Sequence, residues 1–186
     1  MITNLDFYDN LIDYLKKNGH RDVINSISSK LFASRPFFRE LENKKDLIGV
    51  ELGVQFGVNA YRILETLDME ILYLIDYFPN SKVAEFCLKV LEEFNDKIKY
   101  IAEKSITAIN KIPDNLDFIY IDGDHKYYGV KLDIELYYPK VKSGGLFGGH
   151  DYVSREKELI SAVTEFGKTF DYKIHHNNWD WWIYKR

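Results

Sequence analysis

The segment Asp117-Phe-Ile-Tyr-Ile-Asp-Gly-Asp-His125 decides the fold, because a short apolar run ends abruptly in acidic and imidazole side chains. A second segment further along the chain, Gly144-Gly-Leu-Phe-Gly-Gly-His-Asp151, repeats that pattern. In a parallel sheet that is buried on both faces, strands are unbroken apolar runs and ligands bind beyond their carboxyl ends. We therefore expect the polar ends of the two segments to meet at one edge of a sheet, as a metal-assisted or acid-base site requires.

From Ile48 onward the chain alternates apolar runs with amphipathic segments. This alternation is typical of βαβ units around a parallel sheet. The predicted strands are Ile48–Leu52, Ile71–Ile75, Ile98–Ile101, Leu116–Ile121 and Gly144–Phe147. The predicted helices are Val58–Leu67, Ser81–Phe94, Tyr127–Tyr138 and Glu156–Phe170.

The chain ends in two aromatic-rich segments, residues 171–176 and 179–185. The dipeptide Asn177-Asn178 between them predicts a tight turn, and therefore an antiparallel hairpin. Alternation in the last strand would place Trp179 and Trp181 on one face, where a core or dimer contact is favoured over a stacking platform. The predicted fold is an α/β, Rossmann-like sheet of seven strands, mostly parallel with an antiparallel last strand and helices on both faces.

A single domain over residues 1–186 is expected from the length of the chain. Residues 1–46 are predicted to be an N-terminal helical extension in which Pro36 ends the second helical segment, and residues 47–186 the core. The basic residues Arg35, Arg39 and Lys44 are interpreted as a solvated face.

The composition, with 46% hydrophobic and 29% charged residues, is ordinary for a globular protein. The net charge of -4 argues against a nonspecific nucleic-acid or anionic-membrane partner. The sequence has neither a basic segment followed by an apolar leader nor an apolar run of membrane-spanning length. We expect a cytoplasmic protein, in which the single cysteine, Cys87, is a buried thiol.

The first chemical motif is Val50-Glu-Leu-Gly-Val-Gln-Phe-Gly-Val-Asn-Ala60, a strand that enters a glycine turn and then a helix. Glycine allows close approach of a ligand, and the helix N-terminus offers free N–H groups. The spacing differs from the dinucleotide fingerprint, and no phosphate-loop Lys-Ser/Thr follows. A second acid, Asp76, ends the next strand, where a carboxylate can hold ribose hydroxyls. A purely structural turn and a solvated Asp76 are the alternatives at this point.

Taken in order, these motifs resemble the class I S-adenosylmethionine-dependent methyltransferases. They are most similar to the metal-assisted O-methyltransferases, the group of the catechol, macrolide-sugar and cephalosporin-related enzymes. The resemblance covers residues 47–186 and implies S-adenosylmethionine as the cofactor. It implies that the cofactor is bound by Glu51, Gly53, Gln55, Gly57, Asn59, Asp76, Ser105 and Asp122.

The same resemblance implies a divalent metal held by Asp122, His150 and Asp151. Relatives place oxygen donors at the last two positions, and the imidazole of His150 shifts preference from magnesium toward manganese, iron or zinc. Magnesium or manganese is favoured over zinc. We interpret His125 as the general base that takes the proton of a substrate hydroxyl before in-line attack on the sulfonium methyl.

Three functions are open at this stage. The favoured one is O-methylation of a small hydroxylated molecule, such as a sugar or a catechol-like compound. The sequence leaves open whether the chain forms a homo-oligomer. The second is a metal-dependent phosphoesterase, which would need two metals and more histidines than the five present. The third is a non-catalytic S-adenosylmethionine-binding protein that acts through partners.

Overall fold

A computed structural model describes residues 4–17, 19, 35–77 and 81–186 of the chain. The chain divides into two units, residues 1–34 and residues 35–186. The first unit contains helix α1 (Asn4–Lys17), and most of the second predicted helical segment lies outside the described residues. Among the helices that the structure describes, none has the length and apolarity needed to cross a membrane.

The second unit is built on a seven-stranded sheet. Its strands are β1 (Leu47–Leu52), β2 (Met69–Ile75), β3 (Ile98–Ile101), β4 (Leu116–Ile121), β5 (Val141–Gly149), β6 (His175–Asn177) and β7 (Asp180–Tyr184). The strand order is β3-β2-β1-β4-β5-β7-β6. Neighbours from β3 to β5 pair in parallel, and β7 is antiparallel to both of its neighbours. The predicted Rossmann-like fold with a reversed last strand is confirmed.

Helices surround this sheet. They are α2 (Pro36–Arg39), α3 (Val58–Thr66), α4 (Ser81–Val90), α5 (Ser105–Ala108), α6 (Tyr127–Tyr137) and α7 (Lys157–Thr169). Short 3-10 turns extend three of them, at Glu92–Phe94, Ile109–Lys111 and Tyr138–Lys140. The predicted helices in this unit are confirmed to within a few residues of their ends.

Strand β4 shows why the central strands are apolar throughout. Its six residues are all buried. On one face Ile119 belongs to a core shared with α6 and α7. On the opposite face Tyr120 contacts the rings of Phe37 and Phe38 in α2, at centroid distances of 5.0 and 4.9 Å. Because both faces are covered, the carboxyl end of β4 is left as the place where polar side chains can meet a ligand.

Two local predictions are wrong. Pro36 begins a helix instead of ending one, which suits a residue with fixed φ and no N–H at the first helical turn. The terminal hairpin turns at Asn178 and Trp179, one residue later than predicted, so Trp179 lies in the turn and not in β7.

Candidate active site

The glycine turn after β1 brings two strand ends into backbone contact. Gly53 has φ of 86°, and a Cβ atom there would lie 2.3 Å from the carbonyl oxygen of Asp122. The N–H of Asp122 in turn donates to the carbonyl of Leu52 at 2.7 Å. Only glycine fits this position, so the carboxyl ends of β1 and β4 are held together and Asp122 is fixed beside the turn.

Asp76, at the end of β2, braces the same turn. Its Oδ2 atom accepts hydrogen bonds from the backbone N–H groups of Val54 at 2.8 Å and Gln55 at 2.7 Å. Gln55 itself adopts a left-handed φ of 50°, which a fixed partner for its N–H helps to maintain. The carboxylate therefore shapes the loop with one oxygen, and its other oxygen is available to a ligand's hydroxyl groups.

Glu51 lies in β1, just before the turn, with 1% of its surface exposed. Its Oε1 atom accepts a hydrogen bond from the Asn59 side chain at 3.0 Å, across the turn to α3. The buried Oε2 atom has no hydrogen-bond partner among the described residues. Burial raises the pKa of Glu51 to about 8, although the Asn59 hydrogen bond acts in the opposite direction. A buried acceptor of this kind favours a cationic ligand group.

Ser105 is the first residue of α5, the helix that follows β3, and two residues of α6 hydrogen-bond to it. The Tyr137 hydroxyl donates to the Ser105 carbonyl at 2.8 Å. The Ser105 side chain hydrogen-bonds the carboxyl group of Asp133, whose pKa burial raises to about 6 despite that bond. The glycine turn, Asp76 and Ser105 thus follow three neighbouring strands, in the order in which sequence motifs predict a nucleoside site.

The second half of the site combines two carboxylates and two imidazoles at the ends of β4 and β5. Asp122, His125 and Asp151 each offer one ligand atom within 4.8 Å of the others. His125 Nε2 lies 3.1 Å from Asp151 Oδ2. The structure therefore brings His125, predicted as a base, into the group of side chains that could hold a cation.

His150 sits between the same two carboxylates. Its Nδ1 atom is 3.6 Å from Asp122 Oδ1 and 3.5 Å from Asp151 Oδ1. Burial lowers the pKa of His150, but its hydrogen bonding to Asp122 and Asp151 outweighs burial and leaves the pKa above its ordinary value. The sequence predicted His150 as a metal ligand, whereas the potential ligand group in the described residues contains His125 with the two aspartates.

Arg35 was not predicted as a site residue, and the structure removes it from the predicted solvated face. Its Nη1 atom donates to the Tyr120 hydroxyl and to Asp122 Oδ2, the latter at 3.2 Å. Tyr120 donates onward at 2.7 Å to Asp180, a carboxylate with no exposed surface that also accepts the N–H of Phe37. Burial raises the pKa of Asp122, yet Arg35 and His150 together bring it below its ordinary value. Asp122 is therefore held ionised.

The residues present fit an S-adenosyl cofactor. The glycine turn holds the ends of β1 and β4 against each other, and Asp76 offers a carboxylate oxygen for hydroxyls. Glu51 presents a buried oxygen that has no partner among the described residues, where a positively charged amino group could bind. The fold and this group of strand-end residues are of the kind found in α/β proteins that bind a cofactor at the switch point of a parallel sheet.

Comparison with known proteins identifies the family. A methyltransferase-domain family matches residues 50–152. An uncharacterized protein of Acanthamoeba polyphaga mimivirus is 30% identical over 159 aligned residues, which cover 74% of this chain and 72% of the relative. The chain belongs to the methyltransferase-domain family and is a class I S-adenosylmethionine-dependent methyltransferase. This result decides against the phosphoesterase and the non-catalytic alternatives.

Solved structures share the fold at low sequence identity. A methyltransferase from Streptococcus mutans, determined with S-adenosylhomocysteine, has a TM-score of 0.64 at 15% identity and covers 83% of this chain and all of its own. The O-methyltransferase NovP has a TM-score of 0.59 at 19% identity over 76% of this chain and 72% of its own. A methyltransferase from Methanococcus maripaludis gives 0.59 at 20% identity over 91% and 93%.

Proposed function

We propose that this methyltransferase transfers its methyl group to a hydroxyl of a small molecule, with a divalent metal held beside the cofactor. The observation that carries the proposal is the group Asp122, His125 and Asp151, whose ligand atoms lie within 4.8 Å of one another. Asp122 belongs to this group and also contacts the glycine turn through its backbone. One residue therefore joins the cofactor half of the crevice to the half where an acceptor would react.

The cofactor half would use the residues around β1 and β2. In this proposal the Glu51 carboxylate binds the amino group of the methionine portion, since no described residue donates a hydrogen bond to its buried Oε2 atom. The second oxygen of Asp76 binds the ribose, while its first oxygen keeps the turn in shape. Gly53 and Gln55 lie against the methionine portion, and Gly57 begins the helix that follows. Asn59 holds Glu51, and Ser105 lies at the adenine edge.

The acceptor half would use the ends of β4 and β5. Asp122 and Asp151 would hold the metal ion, which when bound lowers the pKa of a coordinated hydroxyl and orients it. His125, 3.1 Å from Asp151 and 39% exposed, takes the hydroxyl proton. His150, between the two carboxylates, keeps them oriented. Positioning supplies much of the rate, because the sulfonium of the cofactor carries a good leaving group.

The donor set supports magnesium or manganese. Two carboxylates with one imidazole nearby form a harder site than the cysteine-rich or histidine-rich sets that zinc favours. Carboxylate oxygens with water would complete the coordination of either ion. The acceptor is proposed to be a small hydroxylated compound, such as a sugar or a catechol-like molecule.

Chelation tests the metal directly. Exhaustive treatment with a chelator should abolish methyl transfer, and added manganese or magnesium should restore it, while the affinity for S-adenosylhomocysteine changes by less than about threefold because the glycine turn and Asp76 lie outside the ligand group. Methyl transfer that continues in metal-free protein would remove the ion from the mechanism and leave His125 as a metal-free base.

A further inference from the structure

The tip of the terminal hairpin has an unfavourable backbone conformation. Strands β6 and β7 are joined by two residues, Asn178 with φ of 51° and Trp179 with φ of 76°. A two-residue turn with positive φ at both positions strongly prefers asparagine followed by glycine. Asn178 suits its position, but tryptophan occupies the position where glycine is preferred. A bulky residue in this region costs free energy, and such outliers concentrate at functional sites.

The topology places this tip at the acceptor half of the crevice. The groups assigned to the cofactor follow β1, β2 and β3, and Asp122 follows β4 in the middle of the sheet. On the other side β7 runs antiparallel to β5, with Trp181 paired to Gly149. The start of β7 and the turn before it therefore lie beyond the carboxyl end of β5. The N–H of Tyr152 donates to the Trp179 carbonyl at 2.8 Å and fixes the turn next to Asp151.

The Trp179 side chain contacts the groups proposed to carry the reaction. Its ring centroid is 6.0 Å from that of His150. The Arg155 guanidinium carbon lies 4.5 Å from the indole centroid, and Arg155 also reaches Asp151 Oδ1 at 3.5 Å. The indole is half-buried, in contrast to the core residues Trp181 and Trp182. The backbone of the turn does not require tryptophan, since glycine would suit this positive φ better.

We propose that Trp179 is a specificity-determining residue of the acceptor site, whose indole packs against a flat ring that carries the reactive hydroxyl. Both candidate acceptors have a flat face that could pack on the indole: the aromatic face of a catechol or the C–H face of a pyranose. Tryptophan offers a large rigid surface to both. This inference rests on the proposed O-methyl transfer. The strained turn holds the indole in place beside His150. The acceptor ring that packs on the indole is thereby oriented with its hydroxyl at the Asp122 and Asp151 carboxylates.

The experiment compares Trp179→Gly with Asn178→Gly in the full chain, supplied with S-adenosylmethionine and manganese. Both variants place glycine at a positive-φ position, and only the first removes the ring. Catechol, methyl glucoside and the open-chain glycerol are the acceptor probes. We expect Trp179→Gly to raise the KM for the ring acceptor that is used by about three- to tenfold, with a melting temperature no lower than that of the wild type. Asn178→Gly should leave that KM within about twofold.

Catechol and methyl glucoside distinguish an aromatic acceptor from a sugar acceptor, because the wild type should methylate the one that resembles its substrate. Trp179→Phe keeps a smaller ring and should give an intermediate KM, which keeps the test decisive if Trp179→Gly fails to fold. An unchanged KM in both Trp179 variants overturns the inference. A wild type that methylates glycerol but neither ring also overturns it and leaves the proposed function intact. Transfer to none of the three probes, with S-adenosylhomocysteine still bound, contradicts the proposed O-methyl transfer itself.

Discussion

Glu51 links the charge of the site to the stability of the fold. Its carboxyl group binds a proton more tightly in the folded protein, since burial raises its pKa from 4.5 to about 8. The folded state then holds more protons than the unfolded state between these two values, so stability falls as pH rises through that window. An ammonium group placed against Oε2 would lower the pKa of Glu51 and so favour its ionised form over the protonated form.

Replacing Glu51 should remove this pH dependence. In the cofactor-free protein, the free energy of unfolding of Glu51→Gln should exceed that of the wild type by an amount that grows from about pH 5 to about pH 8 and reaches the order of 4 kcal/mol. Urea unfolding across this pH range measures it, with the exposed Glu85→Gln as the control. Parallel pH curves for the wild type and Glu51→Gln would show that Glu51 is already ionised in the fold.

His125 and His150 are both strand-end imidazoles, but their surroundings separate them. His125 is 39% exposed and contacts Asp151 from the solvent side, whereas His150 is 12% exposed and lies between two carboxylates. An exposed imidazole can meet a substrate proton, while a buried one can orient the residues that bind a metal.

Metal titrations of the two alanine variants should therefore differ. His125→Ala should lower turnover by a factor on the order of 100 to 10,000 at saturating manganese, with cofactor affinity unchanged. His150→Ala should raise the manganese concentration needed for activity by about 10 to 100 fold. If excess manganese rescues His125→Ala and not His150→Ala, then the two roles are exchanged and His125 is a metal ligand.

At the residue scale, the sequence predicted side chains that follow strand ends, because topology alone brings those together. Asp76 and Asp122 were predicted in this way. Arg35 was not, because its partner Tyr120 is 85 positions away and no periodic pattern links them. Its basic neighbours in the sequence suggested a solvated surface, and only the three-dimensional packing of α2 on β4 shows a partly buried ion pair.

At the level of elements, α2 is tied to the reactive edge of the sheet. Asp180 at the start of β7 accepts the N–H of Phe37 and the hydroxyl of Tyr120, and Tyr120 accepts from Arg35. Phe37 is fully buried against β4. The short helix is therefore held by both apolar packing and a polar chain, and Arg35 at its start is fixed against Asp122.

Loss of Arg35 should affect both stability and catalysis. Arg35→Met should lower the free energy of unfolding by about 1 to 3 kcal/mol, because Asp122 and the Tyr120 hydroxyl lose a donor in a largely buried setting. Methyl transfer should also fall, while affinity for S-adenosylhomocysteine stays within about threefold. Arg39→Met in the same helix replaces an exposed arginine and should change neither quantity. If both variants lost the same stability and the same methyl-transfer activity, then Arg35 would have no role beyond that of an exposed arginine.

Strand positions were predictable because each buried strand is a continuous apolar run between polar turns. The hairpin register was not, because Asn177-Asn178 satisfies turn preferences better than the observed Asn178 and Trp179. The turn preference of the dipeptide did not decide the structure. Instead, His175 pairs with Trp182 and Asn177 pairs with Asp180, which fixes the turn one residue later. Local propensity is overridden here by contacts across the sheet.

Across the whole molecule, the proposed function assigns two tasks to the two sides of the sheet. The half that contains β1, β2 and β3 presents the glycine turn, Asp76 and Ser105, and the half that contains β5 and β7 presents His150, Asp151 and the turn at Trp179. Strand β4 lies between them and contributes Asp122 to both. A cofactor on one side and an acceptor on the other would meet at this residue.

Calorimetric titration of S-adenosylhomocysteine into the purified protein tests whether the residues after β1 and β2 bind the cofactor. We predict saturable binding at one site per chain, weakened by about 1 to 3 kcal/mol in Asp76→Ala because the variant loses hydrogen bonds to the ligand and to the backbone of the turn. Asp96→Ala, which alters an exposed aspartate after α4, should bind as the wild type does. Absence of binding by the wild type, or equal affinity in a folded Asp76→Ala protein, would contradict the assignment of the crevice to the cofactor.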